Sequence, residues 1–100
     1  MDKKVSLSDL ANVVCEVTGV SLDLLVGHEK RNLTDTARGV FFMLAREFGI
    51  HPKEASSFVD RSRSSCITTA KQYRGYYETK DKEVCRIVDT VKSTLESKQL

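Results

Sequence analysis

The segment Arg61-Ser-Arg-Ser-Ser65, with Thr68 and Lys71 after it, gathers side chains suited to hydrogen bonding along a polyanion. Arginine presents a planar fork that grips guanine O6 and N7 together, while serine and threonine hydroxyls reach phosphates or base edges. On a helix each residue advances about 100° round the axis. Ser64, Thr68, Lys71 and Gly75 then fall on one side, and Cys66, Ala70, Tyr73 and Tyr77 on the other. One face is built to pack and the opposite face to touch something polar. A serine-rich start is also an ordinary capping signal, and exposed arginine and lysine also serve solubility, so the pattern leaves both uses open.

The elements that must position this helix are helices too, because apolar residues recur at intervals of three and four and no stretch alternates long enough for a sheet. The expected fold is all-α, one small domain over residues 1–100 with about six helices. Leu7, Leu10, Val13, Val14 and Val17 make a first stripe, capped by Ser6 or Ser8 and ended by Gly19. Ser21 to Gly27 reads as a short second helix with a serine cap and a glycine stop. Residues 27–34 carry charge and turn formers and read as an exposed loop, with Thr34 capping the third helix. Ala37, Val40, Phe41, Leu44, Ala45 and Phe48 give that helix the widest apolar face in the chain, the expected core helix, terminated by Gly49. Phe42 points off that stripe, which implies either a second covering helix or an exposed ring.

Pro52 suits the first turn of a short helix over about His51–Val59, since that position needs no amide donor. A tight connection comes next, and Ser62 can cap a helix running to about Tyr77. Two helices joined so briefly outline a helix-turn-helix over about 51–77. A last helix, about 80–98 with Thr79 as its cap, carries Val84, Ile87, Val88, Val91 and Leu95 on one stripe. That stripe can close the core or pair with a second copy of the chain as a homodimer.

With 40% apolar and 30% charged residues, the chain can bury a modest core under a charged surface. The net charge of +2 is small, but its distribution is uneven: residues 28–77 hold nine basic against five acidic side chains, the first 27 residues sum to −2, and the last 23 balance. Positive charge is concentrated where a polyanion would meet it. Cys15, Cys66 and Cys85 form no C-x-x-C pair and read as core or surface thiols, and the start Met-Asp-Lys-Lys leads into no apolar signal region, so a reducing cytoplasm is the expected setting. No apolar run has the length of a membrane span. His28 and His51 sit in separate segments without metal-ligand spacing, and no paired carboxylate or glycine-rich phosphate cradle accompanies them. The expectation is therefore a non-enzyme with no cofactor, no metal and no small-molecule substrate.

Several segments in order carry a resemblance to a known family. Leu7-Ser-Asp-Leu-Ala-Asn-Val-Val and Gly19-Val-Ser-Leu-Asp-Leu-Leu25 are similar to the first helix and the "aDLls" step of the C-terminal DNA-binding domain (domain IV) of DnaA, the bacterial chromosomal replication initiator. Ala37-Arg38 with Met43-Leu-Ala-Arg-Glu-Phe48 resembles its "pRqiamyLarel" core helix. Pro52-Lys-Glu-Ala-Ser-Ser-Phe58-Val-Asp-Arg61-Ser-Arg-Ser-Ser-Cys-Ile67 matches its "lpeIGxxFGgRDHTTVl" signature without a gap. The resemblance implies a TrpR-like helix-turn-helix in which Ser62, Arg63 and Ser64 face bases and Ser65 and Lys71 sit near the backbone. It also implies that Pro52 touches the groove wall and that a loop carrying Lys30 and Arg31 reaches the minor groove. Arg38, Arg61 and Thr68 complete the candidate contact set. The chain departs from the signature where Asp-His-Thr-Thr becomes Ser-Arg-Ser-Ser, where two glycines become Val59 and Asp60, and where Glu29 enters the loop; these changes imply a different sequence preference. No G-x-x-x-x-G-K-[ST] is present, so the initiator's ATPase chemistry is not expected.

The expected function is binding of double-stranded DNA by a free-standing relative of that domain, in replication or transcriptional regulation. The alternative is a protein-interaction module that keeps the fold without DNA, using the last helix or Phe42, with Glu29 and Asp60 as its best support.

Overall fold

A computed structural model describes residues 6–27, 32–59 and 62–98. Six helices run in the order α1 (Leu7–Thr18), α2 (Leu22–Val26), α3 (Asn32–Glu47), α4 (Pro52–Phe58), α5 (Arg63–Glu78) and α6 (Lys82–Lys98), with no strand among the described residues. The all-α expectation is met, and so is the expected number of elements.

Local signals account for most of the boundaries. Ser6, not Ser8, caps α1, its hydroxyl accepting from the Asp9 amide, and Gly19 ends the helix at φ 77°, a left-handed conformation that a side chain would resist. Ser21 caps α2 in the same way through the Leu24 amide. His51 caps α4, its Nδ1 accepting from the Lys53 amide ahead of Pro52. Gly49, at φ 80°, ends α3, as its position in the sequence implies.

Two boundaries differ from the sequence reading. Helix α3 begins at Asn32, so Thr34 is no cap but a buried residue inside the first turn. Thr79 ends α5 instead of starting α6, its hydroxyl donating to the Gly75 and Tyr76 carbonyls. The α6 cap falls to Asp81, whose carboxylate accepts from the Val84 amide. In neither case does spacing decide the role, because a threonine can sit within a first turn or end a helix as well as cap its start.

Helix α3 is the axis of the molecule. Every residue from Ala37 to Ala45 is buried, so this segment is enclosed on all sides, as an element packed by others all round must be. Helix α1 lies on one flank, α5 and α4 on another, and α6 closes the remainder against α1, α3 and α5. Phe42 is therefore covered, not exposed, and Phe41 stacks obliquely on both Phe42 and Phe58 with ring centroids 5.7 Å apart in each pair. The α6 stripe of Val84, Ile87, Val88, Val91 and Leu95 is buried in the same core, the first of the two uses open in the sequence.

Helix α5 crosses α3 where α3 has no side chain. A Cβ at Gly39 would overlap the Tyr73 ring, so the glycine is what lets that ring come this close to α3. Farther along, the Tyr77 hydroxyl donates to Asp89 of α6 at 3.1 Å, and Lys92 stands 5.5 Å over the same ring while pairing with Glu47 of α3 at 3.0 Å. These contacts tie the underside of α5 to α3 and α6 and so decide which side is left outward.

Candidate nucleic-acid interface

The orientation of α5 is set by what it buries. Cys66 and Ala70 are buried, Tyr73 and Tyr77 are half-buried, and Ser64, Thr68 and Lys71 are exposed, with Gly75 partly so. This is the division that the 3.6-residue period gives. Helix α6 meets α5 at Tyr77, at its far end, and does not cover the Ser64 side. Burial pushes the Cys66 thiol above its ordinary range, partly opposed by the nearby Arg46 charge, so Cys66 behaves as a packing group. Tyr73 is likewise pushed up by burial, against the pull of a hydrogen bond with Thr36.

At the leading end, Ser62 sits in the extended conformation of an N-cap, its hydroxyl accepting from the Ser65 amide at 3.1 Å. The amides ahead of Ser65 have no carbonyl within the helix to meet, which is the general condition of a helix start. Arg63 is the first helical residue and is exposed, as are Ser64 and Ser65. No acidic residue lies in this first turn, whereas α1, α2, α3, α4 and α6 hold Asp9, Asp23, Asp35, Glu54 and Glu83 in theirs. Among the described residues no first-turn carboxylate meets the positive end of the α5 dipole, and a guanidinium stands there instead.

Apart from Arg38, the candidate residues fall into three groups. Ser64, Thr68 and Lys71 share one exposed side of α5, and Ser62, Arg63 and Ser65, exposed as well, stand round its leading end. Pro52 is half-buried at the start of α4, and α4 packs directly on α5. Lys30, Arg31 and Arg61 lie outside the described residues.

Arg38 does not belong to the contact set. It is 5% exposed, and its guanidinium donates to the backbone carbonyls of Leu25 at 2.9 Å, Leu24 at 2.8 Å and Gly27 at 2.6 Å, and to the Asp35 carboxylate at 3.3 Å. Those carbonyls belong to the end of α2, where orphan acceptors need donors, so Arg38 fastens α2 to α3 and its charge is not offered to solvent, which corrects the expectation drawn from the sequence.

Two cations that count in the sequence only toward the charge balance join the face. Arg46, from α3, and Arg74, from α5, are both exposed and line one cleft with Lys71, Met43, Ala70, Gly75 and Glu78. Arg74 is within reach of sequence reasoning, being three residues beyond Lys71 on the same helix. Arg46 is not, because its approach depends on how α3 crosses α5. On the other flank of α5, Ser65, Thr69, Gln72 and Tyr73 line a second, polar cleft with Asp35, Arg38 and Phe42.

Among the described residues no helix is long and apolar enough to cross a membrane. No family model matches the chain, and no curated protein matches it.

Proposed function

We propose that the chain binds double-stranded DNA, with α4 and α5 acting as a helix-turn-helix and α5 laid into the major groove, in the manner of the DnaA C-terminal domain it resembles. The observation that carries this reading is the outward face of α5, where Ser64, Thr68 and Lys71 stand in solvent behind an exposed Arg63 while Cys66 and Ala70 are packed beneath. A groove about 12 Å wide admits one helix and rewards short hydroxyls and arginine at its leading end. Arg63 is assigned to a guanine edge, Ser62 and Ser64 to base edges, and Thr68 to either a base or the backbone. Ser65 and Lys71 are assigned to phosphates, and Pro52 to the groove wall. Lys30 and Arg31 would reach the minor groove, with Arg61 beside the reading set.

The test is a titration of mixed-sequence duplex at low salt. Binding is expected there and should weaken steeply as salt rises, because each phosphate contact releases counterions. Arg63→Ala should then cost about tenfold in affinity, the lower part of the range for a bidentate base contact, and should relax sequence preference at one position. No duplex binding at low salt would leave the protein-interaction reading. The contacts expected for that reading, Phe42 and the α6 stripe, are buried within the chain, and its charged support, Glu29 and Asp60, lies outside the described residues.

A further inference from the structure

Gly75 has no internal reason to be glycine. Its backbone is not left-handed, the positive-φ glycines among the described residues being Gly19 and Gly49, and a Cβ built on it would meet nothing within 4 Å. Gly39 shows the opposite case, a glycine whose missing side chain is filled by the chain's own Tyr73. Glycine inside a helix is the weakest former after proline, so a glycine that neither turns the chain nor admits a neighbour from within suits the close approach of something from outside.

The surroundings say what that would be. Gly75 lies in a cleft of about 410 Å³ between α3 and α5, with the buried Met43 and Ala70 in its wall and Arg46, Lys71 and Arg74 exposed around it. Glu78 contributes the one carboxylate. The acidic neighbour of Arg46, Glu47, is already engaged by Lys92, and no ion pair among the described residues holds Arg46, Lys71 or Arg74. Three cations around a bare stretch of helix backbone complement a chain of phosphates better than a neutral or basic partner. The distance also fits: Gly75 is eleven residues beyond Ser64, about 16 Å along the helix at 1.5 Å per residue, a little more than the width of the major groove.

We propose that this cleft takes the phosphodiester backbone of one DNA strand, the absent side chain at Gly75 letting a phosphate settle against α5 between Arg46 and Arg74. The inference rests on the DNA-binding reading and extends it, since the cleft grips without regard to sequence whereas the start of α5 reads. It makes Gly75 and Arg74 determinants of affinity on every sequence alike, and Arg63 a determinant of preference as well as of affinity.

The experiment compares the parent chain with Arg63→Ala, Arg74→Ala and Gly75→Leu, each titrated with several unrelated duplexes across a salt series, with thermal unfolding measured alongside. Leucine is a strong helix former, and its Cβ would meet nothing within 4 Å at position 75, so the melting temperature should hold or rise. Affinity should nonetheless fall by about tenfold on every duplex, with the steepness of the salt dependence reduced. Arg74→Ala should weaken all duplexes alike and reduce the logarithmic salt slope by about one, as the loss of one phosphate contact does. A folded Gly75→Leu chain that binds as tightly as the parent overturns the proposal. Should Gly75→Leu unfold, an unchanged salt slope in Arg74→Ala does the same. A parent chain that binds no duplex removes the DNA reading itself, and only that outcome leaves the Arg63 comparison without meaning.

Discussion

The two helix ends at α2 and α5 pose the same problem and solve it in opposite ways. The α2 terminus leaves carbonyls that need donors, and Arg38 reaches in from α3 to meet three of them, burying its charge in doing so. The α5 terminus leaves amides that need acceptors, and Ser62 meets one of them beside an exposed arginine. One end is completed from inside the molecule. On the proposed reading the other is completed from outside, which is where a binding surface would differ from a joint.

The comparison breaks most plainly at Arg38. Arg38→Ala would leave the α2 carbonyls without their donor and remove a long packed side chain, so a loss of about 3 kcal/mol in unfolding free energy is expected by denaturant titration. Arg38→Lys should recover little, because one ammonium cannot span carbonyls that a guanidinium fork reaches together. Where enough folded protein remains, its affinity for duplex should match the parent. A stable Arg38→Ala chain that had lost DNA binding would return Arg38 to the contact set.

Arg38 also marks the limit of what the chain's spacing makes legible. Caps, glycine stops and the apolar stripes of α1, α3 and α6 depend on neighbours a few residues away, and these are readable at Ser6, Ser21, Gly19, Gly49 and Ser62. The outward face of α5 is readable for the same reason, since it emerges from the helical period once Cys66 and Ala70 are taken as packed. The role of an arginine does not depend on neighbours. Arg38 and Arg63 are alike as residues, and only the position of α2 relative to α3 makes one a clamp and the other free to reach. Arg46 is hidden likewise, standing beside Lys71 only because α3 and α5 cross at Gly39.

A smaller break lies at the cap. Ser62→Ala removes the acceptor for the Ser65 amide and should cost about 1 kcal/mol, read as a lowered melting temperature. Ser62→Asp should restore that stability, since aspartate caps as well as serine and adds a favourable charge at the helix start. Should alanine and aspartate leave stability equal, the bond from Ser65 to Ser62 contributes nothing, and the serine is free to act on DNA alone.

The smallest effect on stability is the one that sharpens the comparison most. Five helices place an acidic residue in the first turn, where it is stabilising, and α5 places Arg63 there instead. A cation at that end opposes the helix dipole, so Arg63→Glu should raise unfolding free energy by about 0.5 kcal/mol at low ionic strength, and less as salt screens the effect. The same substitution would set a carboxylate against the groove and should abolish duplex binding at salt concentrations where the parent still binds. Gain in stability with loss of binding is what a surface kept for a partner predicts, because the fold alone would be better served by the acid. If Arg63→Glu destabilised the chain, the arginine would have a structural role, and the outward end of α5 would resemble α2 after all.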